Sequence, residues 1–318
     1  MVDLSICIVN WNVRDLLRQC LLSIQKEVTG LAVEVVVVDN ASTDGAPDMV
    51  EQEFQWVKLI RNRKNESFSH ANNQAAQISH GRHLLFLNND TIVLPQSLHR
   101  LVQFLDRHPE AGLVGPRLID RDGQTQRSYR PKPTIGAALH RLVCLRWTRL
   151  FRQAYQRYRR QKLQTDSTIA VEVLLGAAVA MPRRVYDSIG GWDEGYRFGL
   201  EDFDLSTRVR RTHMVYYYPQ AEIIHLGRMS SRRNSGHVYI GVECGYARYL
   251  RRHVVGLVGG ILYKALVMVN LPFSLVENAA RSLWKQCRHG PAPAGWPHSE
   301  LQGVWSFLLY GLPSFLKA

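Results

Sequence analysis

Polar side chains with metal-binding or acid–base chemistry follow three apolar runs in the first third of this sequence. These clusters, each at the end of a run, are Asn10-Trp11-Asn12, Asp39-Asn40 and Asn88-Asn89-Asp90. Carboxylate and carboxamide oxygens are hard ligands of the kind that Mg2+ prefers. Asp90 is therefore a candidate metal ligand. The same residue types are also common in simple turns, so the composition of each cluster leaves both interpretations open.

A second group of candidates lies after residue 200. Glu201, Asp202 and Asp204 form an acidic cluster after a glycine-rich stretch, and His225 ends a short apolar run. A carboxylate in such a position can act as a general base. Acidic residues also favour the first turn of a helix, where they meet the positive end of the helix dipole. A single histidine after a strand has a structural explanation as well, as does Asp39 in a capping role.

The elements that must position these residues alternate along the chain. Three apolar runs predict strands: Leu4–Val9, Val33–Val38 and His83–Leu87. The stretches between these runs carry apolar residues at helical spacing. Such alternation predicts a mostly parallel sheet with helices on both faces. Ligands bind beyond the carboxyl ends of such strands, where all three polar clusters fall. Neither a GxGxxG nor a GxxxxGK[ST] phosphate loop is present.

Composition limits the class of protein. The chain has 318 residues, is 46% hydrophobic and carries a net charge of +13, so it is globular with anionic partners. Its five cysteines show no metal-ligand spacing, and no signal peptide is predicted, which indicates a reducing cytosol. A nucleic-acid-binding protein is an alternative suggested by charge alone. No helix-turn-helix, zinc-finger or RNP signature supports it, so no nucleic-acid partner is predicted.

Seven motifs of this sequence resemble those of the family 2 glycosyltransferases, particularly the bacterial rhamnosyltransferase-like branch, in their order and approximate spacing. The match extends from Leu4 to about His253 and includes Ile8–Asn12, Val36–Gly45, Asn72–Ala75, Leu85–Asp90, Gly190–Glu194, Glu201–Leu205 and His225–Gly227. The resemblance implies a GT-A fold, an α/β architecture with a mostly parallel twisted sheet and helices on both faces. It also implies an enzyme that transfers a sugar, with inversion, from a nucleotide-diphosphate donor.

The resemblance assigns roles to matching positions. Asp202 is the expected catalytic base, and Asp90 with His225 is expected to hold Mg2+ or Mn2+. The expected nucleotide-binding residues are Asn10, Asn12, Asp39, Asn40, Asn72 and Asn89. The expected acceptor-side residues are Trp192, Asp193, Glu194 and Glu201. The donor is expected to be dTDP-rhamnose or a UDP-sugar, and the acceptor a hydroxyl of a lipid-linked or polysaccharide substrate.

Two positions depart from the family pattern. Asn88 stands where the metal motif usually has its first acid. A catalytically inactive homologue that acts as a membrane scaffold therefore remains an alternative. Ser67 stands where relatives usually have glycine, and a backbone with positive φ at this position would be strained by serine.

The remaining segments predict membrane contact. We expect a catalytic domain at residues 1–232, with a basic amphipathic insertion at about 134–162, and a helical region at 233–318. Eight Lys/Arg and no acid lie in residues 141–162, and the apolar residues of 139–158 fit one helical stripe. Such a stripe favours an interfacial helix at an anionic membrane, although packing on the domain would also explain it.

Residues 254–276 are long enough to span a membrane, but Lys264 and Pro272 favour an interfacial or re-entrant helix pair. The aromatic residues of the tail, from Trp296 to Phe315, are consistent with anchoring at the membrane interface, and core packing explains them nearly as well. The expected location is the cytoplasmic face of a bacterial inner membrane, with peripheral or monotopic attachment.

Overall fold

The computed structural model describes residues 2–28, 30–159, 166–227, 235–289 and 299–318. The chain divides into two compact units. The first comprises Met1–Pro131, Lys162–Glu194 and Glu201–Ser230, and the second comprises Lys132–Gln161, Gly195–Leu200 and Ser231–Ala318. The basic segment, from 134 to 161, and the C-terminal region thus belong to the same unit. Arg160, Lys162, Trp296 and the predicted boundary at 232/233 lie outside the described residues.

Eleven strands are found in the described residues. In chain order they are β1 Leu4–Asn10, β2 Val33–Asp39, β3 Val57–Arg61, β4 His83–Asn88, β5 Thr91–Val93, β6 Ala111–Ile119, β7 Tyr129–Arg130, β8 Ile169–Ala170, β9 Val173–Leu174, β10 Ala178–Pro182 and β11 Met214–His225. The main sheet has the order β3-β2-β1-β4-β10-β6-β11-β5, and β8 pairs with β11. Strands β1 to β4 pair in parallel, whereas β10 runs antiparallel to β4 and β6, and β5 runs antiparallel to β11.

The helices follow the predicted alternation in the first unit and dominate the second. In chain order they are α1 Arg14–Glu27, α2 Ala46–Glu53, α3 Phe68–Gln77, α4 Ser97–Arg107, α5 Ile135–Leu139, α6 Val143–Trp147, α7 Arg152–Arg159, α8 Arg183–Ser188, α9 Glu201–Val209, α10 Ser235–Leu250, α11 Gly256–His289, α12 Ser299–Ser306 and α13 Leu312–Lys317. Two π-helical stretches, Arg251–Val255 and Phe307–Gly311, connect helices of the second unit.

The first unit has two apolar cores because its strands are buried on both faces. Alternate strand residues such as Ile8 pack with Leu21 of α1 and Leu101 of α4 on one face. Their neighbours, such as Cys7, pack with Ala75 of α3 and Leu205 of α9 on the other. Burying each Val or Leu side chain of this kind stabilises the fold by roughly 1.5–3 kcal/mol. The predicted α/β sheet with helices on both faces is confirmed.

The second unit differs from the sequence-based expectation in two places. Residues 139–158 do not form one helix, because Arg149 and Phe151 have φ of 63° and 60°, which no α-helix allows. The chain instead folds into the short helices α5, α6 and α7. The predicted helix pair at 254–276 is also wrong, because α11 continues through Pro272 without a break. The proline removes one intrahelical hydrogen bond but does not end the helix.

One helical stretch in the described residues, Val238–Trp284, has the length and apolar composition of a membrane-crossing helix. Only 28% of its most apolar window is buried within the protein. The tail aromatics divide between two environments. Phe307 and Phe315 are fully buried, whereas Trp305 and Tyr310 are exposed.

Candidate active site

The ends of β1, β2 and β4 are joined by a buried hydrogen-bond network. The Asn10 amide donates to Asp39 Oδ1 at 2.9 Å and to Ser42 Oγ at 3.2 Å, and the Asn10 oxygen accepts from Asn89 Nδ2 at 2.9 Å. Parallel pairing sets Asn10 beside Asp39, which explains the first contact. The other Asp39 oxygen accepts from the Ser42 backbone N–H. The structure therefore brings the three predicted strand ends together.

Asn12 and Asn40 shape the loops beside this network. Asn12 has a φ of 54°, and its side-chain oxygen accepts from the Thr43 backbone N–H at 2.8 Å. The Asn40 amide donates to the Ser67 carbonyl at 3.2 Å. Asn72 is turned elsewhere, since its amide donates to the Phe68 carbonyl within its own helix. Its predicted nucleotide contact remains a prediction.

Antiparallel pairing of β5 with β11 brings His225 to Asp90. The pairing register sets His225 opposite Thr91, so the imidazole Nε2 lies 3.5 Å from Asp90 Oδ1. Gln126 contacts the other ring nitrogen, Nδ1, at 3.0 Å and donates to the His225 carbonyl at 2.7 Å. This contact fixes the ring orientation, in the way that neighbouring groups orient histidine ligands in metal sites.

The buried Nε2 of His225 has no hydrogen-bond partner among the described residues. A nitrogen lone pair and a carboxylate oxygen that face each other fit a divalent cation. The part of the chain that the structure describes contains no group of three His, Cys, Asp or Glu side chains arranged for a metal. The Asp90–His225 pair would therefore need further oxygen ligands from a bound substrate.

Asp202 lies in the first turn of α9, against the loop between β9 and β10. Its carboxylate accepts from the Gly176 backbone N–H at 3.2 Å and from the Phe203 N–H at 3.0 Å. Burial raises the pKa of Asp202 to about 6, and these two backbone donors oppose the rise. A carboxylate with a pKa near neutrality is suited to accept a proton during a reaction.

The loop that carries Trp192, Asp193 and Glu194 is held by Asn73 of α3. The Asn73 amide donates to the Trp192 carbonyl at 3.0 Å and to Glu194 Oε1 at 2.8 Å. Its side-chain oxygen accepts from the Trp192 N–H at 3.0 Å and from the Tyr186 hydroxyl at 2.6 Å. The side-chain amide group of Asn73 therefore binds both the backbone N–H and the backbone carbonyl of Trp192.

His70 completes the contacts of Glu194. The His70 Nδ1 lies 2.8 Å from Glu194 Oε2, while Asn73 binds the other oxygen. The hydrogen bond from Asn73, followed by that from His70, lowers the pKa of Glu194. Glu194 therefore stays ionised where Asp202 titrates, so the two carboxylates are suited to different tasks.

The same loop is held from α9 by a buried ion pair. Arg208 pairs with Asp204 at 2.7 Å and donates to the carbonyls of Ile189 and Gly191, both at 2.7 Å. The Trp192 ring is buried and packs edge-on against Phe86. Asp204 is therefore fully buried in a structural ion pair, whereas Asp202 is only partly buried.

Ser67 immediately precedes α3 and has a positive φ, the backbone conformation in which serine was expected to be strained. Its φ is 90° and its ψ is 163°, a region that only glycine adopts readily. The Ser67 hydroxyl compensates in part by accepting from the His70 backbone N–H, at the long distance of 3.4 Å.

Several contributors are absent from the sequence-based set of site residues, among them Asn73, Gly176, Arg208 and Gln126. Asn73 stands beside Asn72 in the same motif, and the choice between the two depends on which helix face meets the loop. Arg208 follows Asp204 at the i,i+4 spacing of a helical ion pair, which is a usable signal. Gln126 and Gly176 carry no such signal because their contacts depend on distant pairing.

The sequence profile described as Glycosyl transferase family 2 matches residues 5–170, about half of the chain. The N-acetylglucosaminyl-diphospho-decaprenol L-rhamnosyltransferase of Mycobacterium tuberculosis is 29% identical over 215 residues, which cover 64% of this chain and 69% of that protein. The O-antigen biosynthesis protein RfbC of Myxococcus xanthus is 30% identical over 228 residues, 70% of this chain but 17% of that protein.

Solved structures share the fold at lower identity. GalNAc-T7, crystallised with UDP, GalNAc and Mn2+, has a TM-score of 0.61 and 18% identity, over 79% of this chain and 48% of that one. The mannosyltransferase PcManGT from Pyrobaculum calidifontis, in complex with GDP-Man and Mn2+, has a TM-score of 0.52 and 16% identity, over 99% and 73%. With its GT-A fold and its match over half the sequence, this chain belongs to glycosyltransferase family 2 and is a glycosyltransferase.

Proposed function

We propose that this enzyme transfers a sugar, with inversion, from a nucleotide-diphosphate donor to a hydroxyl of a lipid-linked or polysaccharide acceptor. Asp202 carries the proposal, because burial raises its pKa to about 6 at the start of α9. The name of the mycobacterial relative favours a rhamnosyl donor and a polyprenyl-diphosphate acceptor. We therefore expect dTDP-rhamnose first and UDP-sugars second.

In the proposed reaction, Asp202 takes the proton of the acceptor hydroxyl as its oxygen attacks the anomeric carbon. The new glycosidic bond forms while the bond from that carbon to the diphosphate breaks, so the nucleoside diphosphate leaves with the bonding electrons. The single displacement needs no covalent nucleophile. Glu194, with its lowered pKa, would stay ionised and bind acceptor hydroxyls together with Asp193 and Glu201, whereas the buried Trp192 would support the loop that carries them.

The donor would bind at the strand ends. Asp39, fixed by Asn10 and Ser42, is suited to accept hydrogen bonds from the base, and Asn12, Asn40 and Asn89 shape the loops around it. Asp90 and His225 would hold Mg2+ or Mn2+, because Nε2 has no other partner among the described residues. A bound divalent ion would offset the charge of the leaving diphosphate. Mn2+ in the two related structures supports this assignment.

The proposed location is the cytoplasmic face of a bacterial inner membrane, where both substrates would meet. Nucleotide sugars are water-soluble, whereas a polyprenyl-linked acceptor stays in the lipid. Exposed arginines such as Arg149, Arg152 and Arg157 would attract an anionic membrane surface, which supports peripheral or monotopic attachment.

A donor panel tests the proposal. Binding and slow hydrolysis of dTDP-rhamnose, UDP-sugars and GDP-sugars are measured with Mg2+, Mn2+ or EDTA. We expect one donor to be turned over only with metal. Asp90→Ala should lose that dependence, and Asp202→Asn should lower kcat roughly 10²–10⁴-fold with donor binding retained. Asp122→Asn, in an exposed turn, is the matched control.

A folded preparation that neither binds nor hydrolyses any donor would contradict the proposal. It would favour the alternative of an inactive homologue that serves as a membrane scaffold, for which Asn88 in the metal motif is the supporting feature.

A further inference from the structure

The long helix α11 carries large apolar residues on both its buried and its exposed faces: Tyr263, Val267 and Leu271 are buried, whereas a second set faces outward. Along its outer face, six large apolar side chains are exposed before Phe273: Leu257, Val258, Ile261, Leu262, Leu266 and Val269. Val258 and Val269 are 71% and 60% exposed. Phe273 and Val276 continue this face toward the carboxyl end. A helix packed on a water-soluble domain is apolar only toward the core and carries polar residues on its outer face.

The polar residues of α11 find partners within the second unit. Lys264 donates to the Leu316 carbonyl at 2.9 Å, and Asn270 accepts from the Cys144 backbone N–H at 3.1 Å. Farther along, Glu277 pairs with Arg146 at 2.5 Å. The Leu316 carbonyl gives the Lys264 ammonium a polar partner within the protein, which lowers the cost of its place beside an apolar face.

An exposed tryptophan borders the outer face of α11, and exposed apolar and basic residues follow it in sequence. Trp147 of α6 is exposed and packs edge-on against Phe273 at 5.8 Å, so it extends the apolar surface. Leu150 and Phe151 follow it in sequence and are also exposed. Between and beyond them lie the exposed arginines Arg149 and Arg152. Apolar side chains bordered by arginines match the acyl layer and anionic headgroups of a membrane.

We propose that the outer face of α11, from Leu257 to Val276, lies along one leaflet of an anionic bilayer with its side chains in the hydrocarbon. The inner face of α11 is packed within the second unit from Tyr263 to Glu277, so only the outer face can meet lipid, and the helix axis lies parallel to the membrane plane. A second copy of the chain fits this face less well, because a symmetric contact would bring the same arginines together. The inference rests on the proposed membrane location but not on the proposed chemistry.

The test is cosedimentation of the full chain with vesicles of phosphatidylglycerol and phosphatidylcholine. The wild type should remain bound in 1 M NaCl, because acyl insertion is not screened by salt. Val258→Glu/Val269→Glu should lower the partition coefficient at least tenfold. Leu22→Glu/Trp56→Glu, which alters exposed apolar residues of the first unit, is the matched control and should bind like the wild type.

Three results would overturn the inference. The first is equal vesicle binding by both double variants, and the second is complete release of the wild type by salt. The third is a wild type that is dimeric and a Val258→Glu/Val269→Glu variant that is monomeric but binds vesicles equally well. Sedimentation velocity in detergent measures the last. None of these assays uses donor turnover, so a failure here is distinct from a failure of the proposed reaction.

The orientation of α11 has its own test, since Cys287 is exposed near the end of the helix. Protein added to preformed vesicles is treated with a membrane-impermeant maleimide, with Cys287→Ser as the control. A helix along one leaflet keeps Cys287 on the outside and reactive. Protection of Cys287 until the vesicles are opened with detergent would show a spanning helix and refute this orientation.

Discussion

At the scale of single residues, Asp202 experiences opposing influences on its charge. Burial disfavours the carboxylate, whereas the backbone N–H groups of Gly176 and Phe203 favour it, and burial prevails with a pKa of about 6. The folded enzyme therefore binds a proton at Asp202 more tightly than an ordinary aspartate does. A base must be deprotonated to act, so activity should fall as the pH drops through 6.

We predict that kcat/KM for the acceptor rises with pH below 6 and reaches a plateau above 7. At pH 5, about one Asp202 in ten is ionised, so the rate should be roughly tenfold below the plateau. Glu194 has a lowered pKa and should not contribute to this limb. Donor binding, measured by calorimetry at pH 5 and 7, is the control. A flat profile with normal donor binding would exclude Asp202 as the base.

Ser67 leads to a prediction about stability. The backbone conformation of Ser67 raises the conformational free energy of a residue with a side chain by roughly 1–3 kcal/mol, and glycine removes this cost. Loss of the long cap bond to His70 should subtract only a few tenths of a kcal/mol. Ser67→Gly should therefore raise the free energy of unfolding by roughly 1 kcal/mol, or Tm by about 2–4 °C.

The matched control for this change is Ser67→Ala, which loses the cap but keeps the Cβ atom. It should be less stable than the wild type, and both are compared by thermal denaturation. If glycine and alanine destabilise equally, the cap matters more than backbone strain at this position.

At the scale of elements, Asn73 connects α3 to the loop of Trp192 and Glu194. Asn73→Asp would lose both donated hydrogen bonds and set a carboxylate beside Glu194. We predict an increase in acceptor KM and at least a tenfold fall in kcat/KM, with donor affinity unchanged. Gln77→Glu adds the same charge to an exposed position of α3 and should behave like the wild type. A loss confined to donor binding would contradict this role.

The elements of the first unit were predictable because their signal is local. Buried β-branched runs and helical spacing identify β1, β2, β4, α1 and α3 within a few residues of their ends. The meeting of Asn10, Asp39 and Asn89 follows from parallel strands that end at one sheet edge. The prediction of one helix over residues 139–158 was wrong. The apolar residues there have helical spacing, but positive φ at Arg149 and Phe151 interrupts the helix.

The site was less predictable where long-range pairing decides a contact. Asn73 and Trp192 are 119 residues apart, and Gln126 and His225 are 99 apart. No periodicity encodes such distances. The clustering of Asp90 with His225 was expected only through family resemblance, and its physical cause is the antiparallel register of β5 and β11.

At the scale of the whole molecule, the excess positive charge is concentrated in one unit. Eight Lys/Arg lie in residues 141–162, against a net charge of +13 for the chain. One of them, Arg141, is turned inward rather than toward anionic partners. It pairs with Glu243 at 2.7 Å and lies 3.6 Å above the ring of Tyr246. This contact holds the basic segment to α10 within the second unit.

Removing one partner of such a pair leaves the other charge buried without compensation, which costs about 3–5 kcal/mol. Arg141→Met should therefore destabilise the second unit by this amount, whereas Arg141→Met/Glu243→Leu should recover most of the loss. Because the two core clusters of the first unit contain no residue of the second, calorimetry in detergent should show a lower transition for the second unit and an unchanged one for the first. Arg152→Met, at an exposed position of the same segment, should shift neither transition. If Arg141→Met and Arg152→Met behave alike, or the double variant is no more stable than Arg141→Met, the Arg141–Glu243 pair does not hold the basic segment in place.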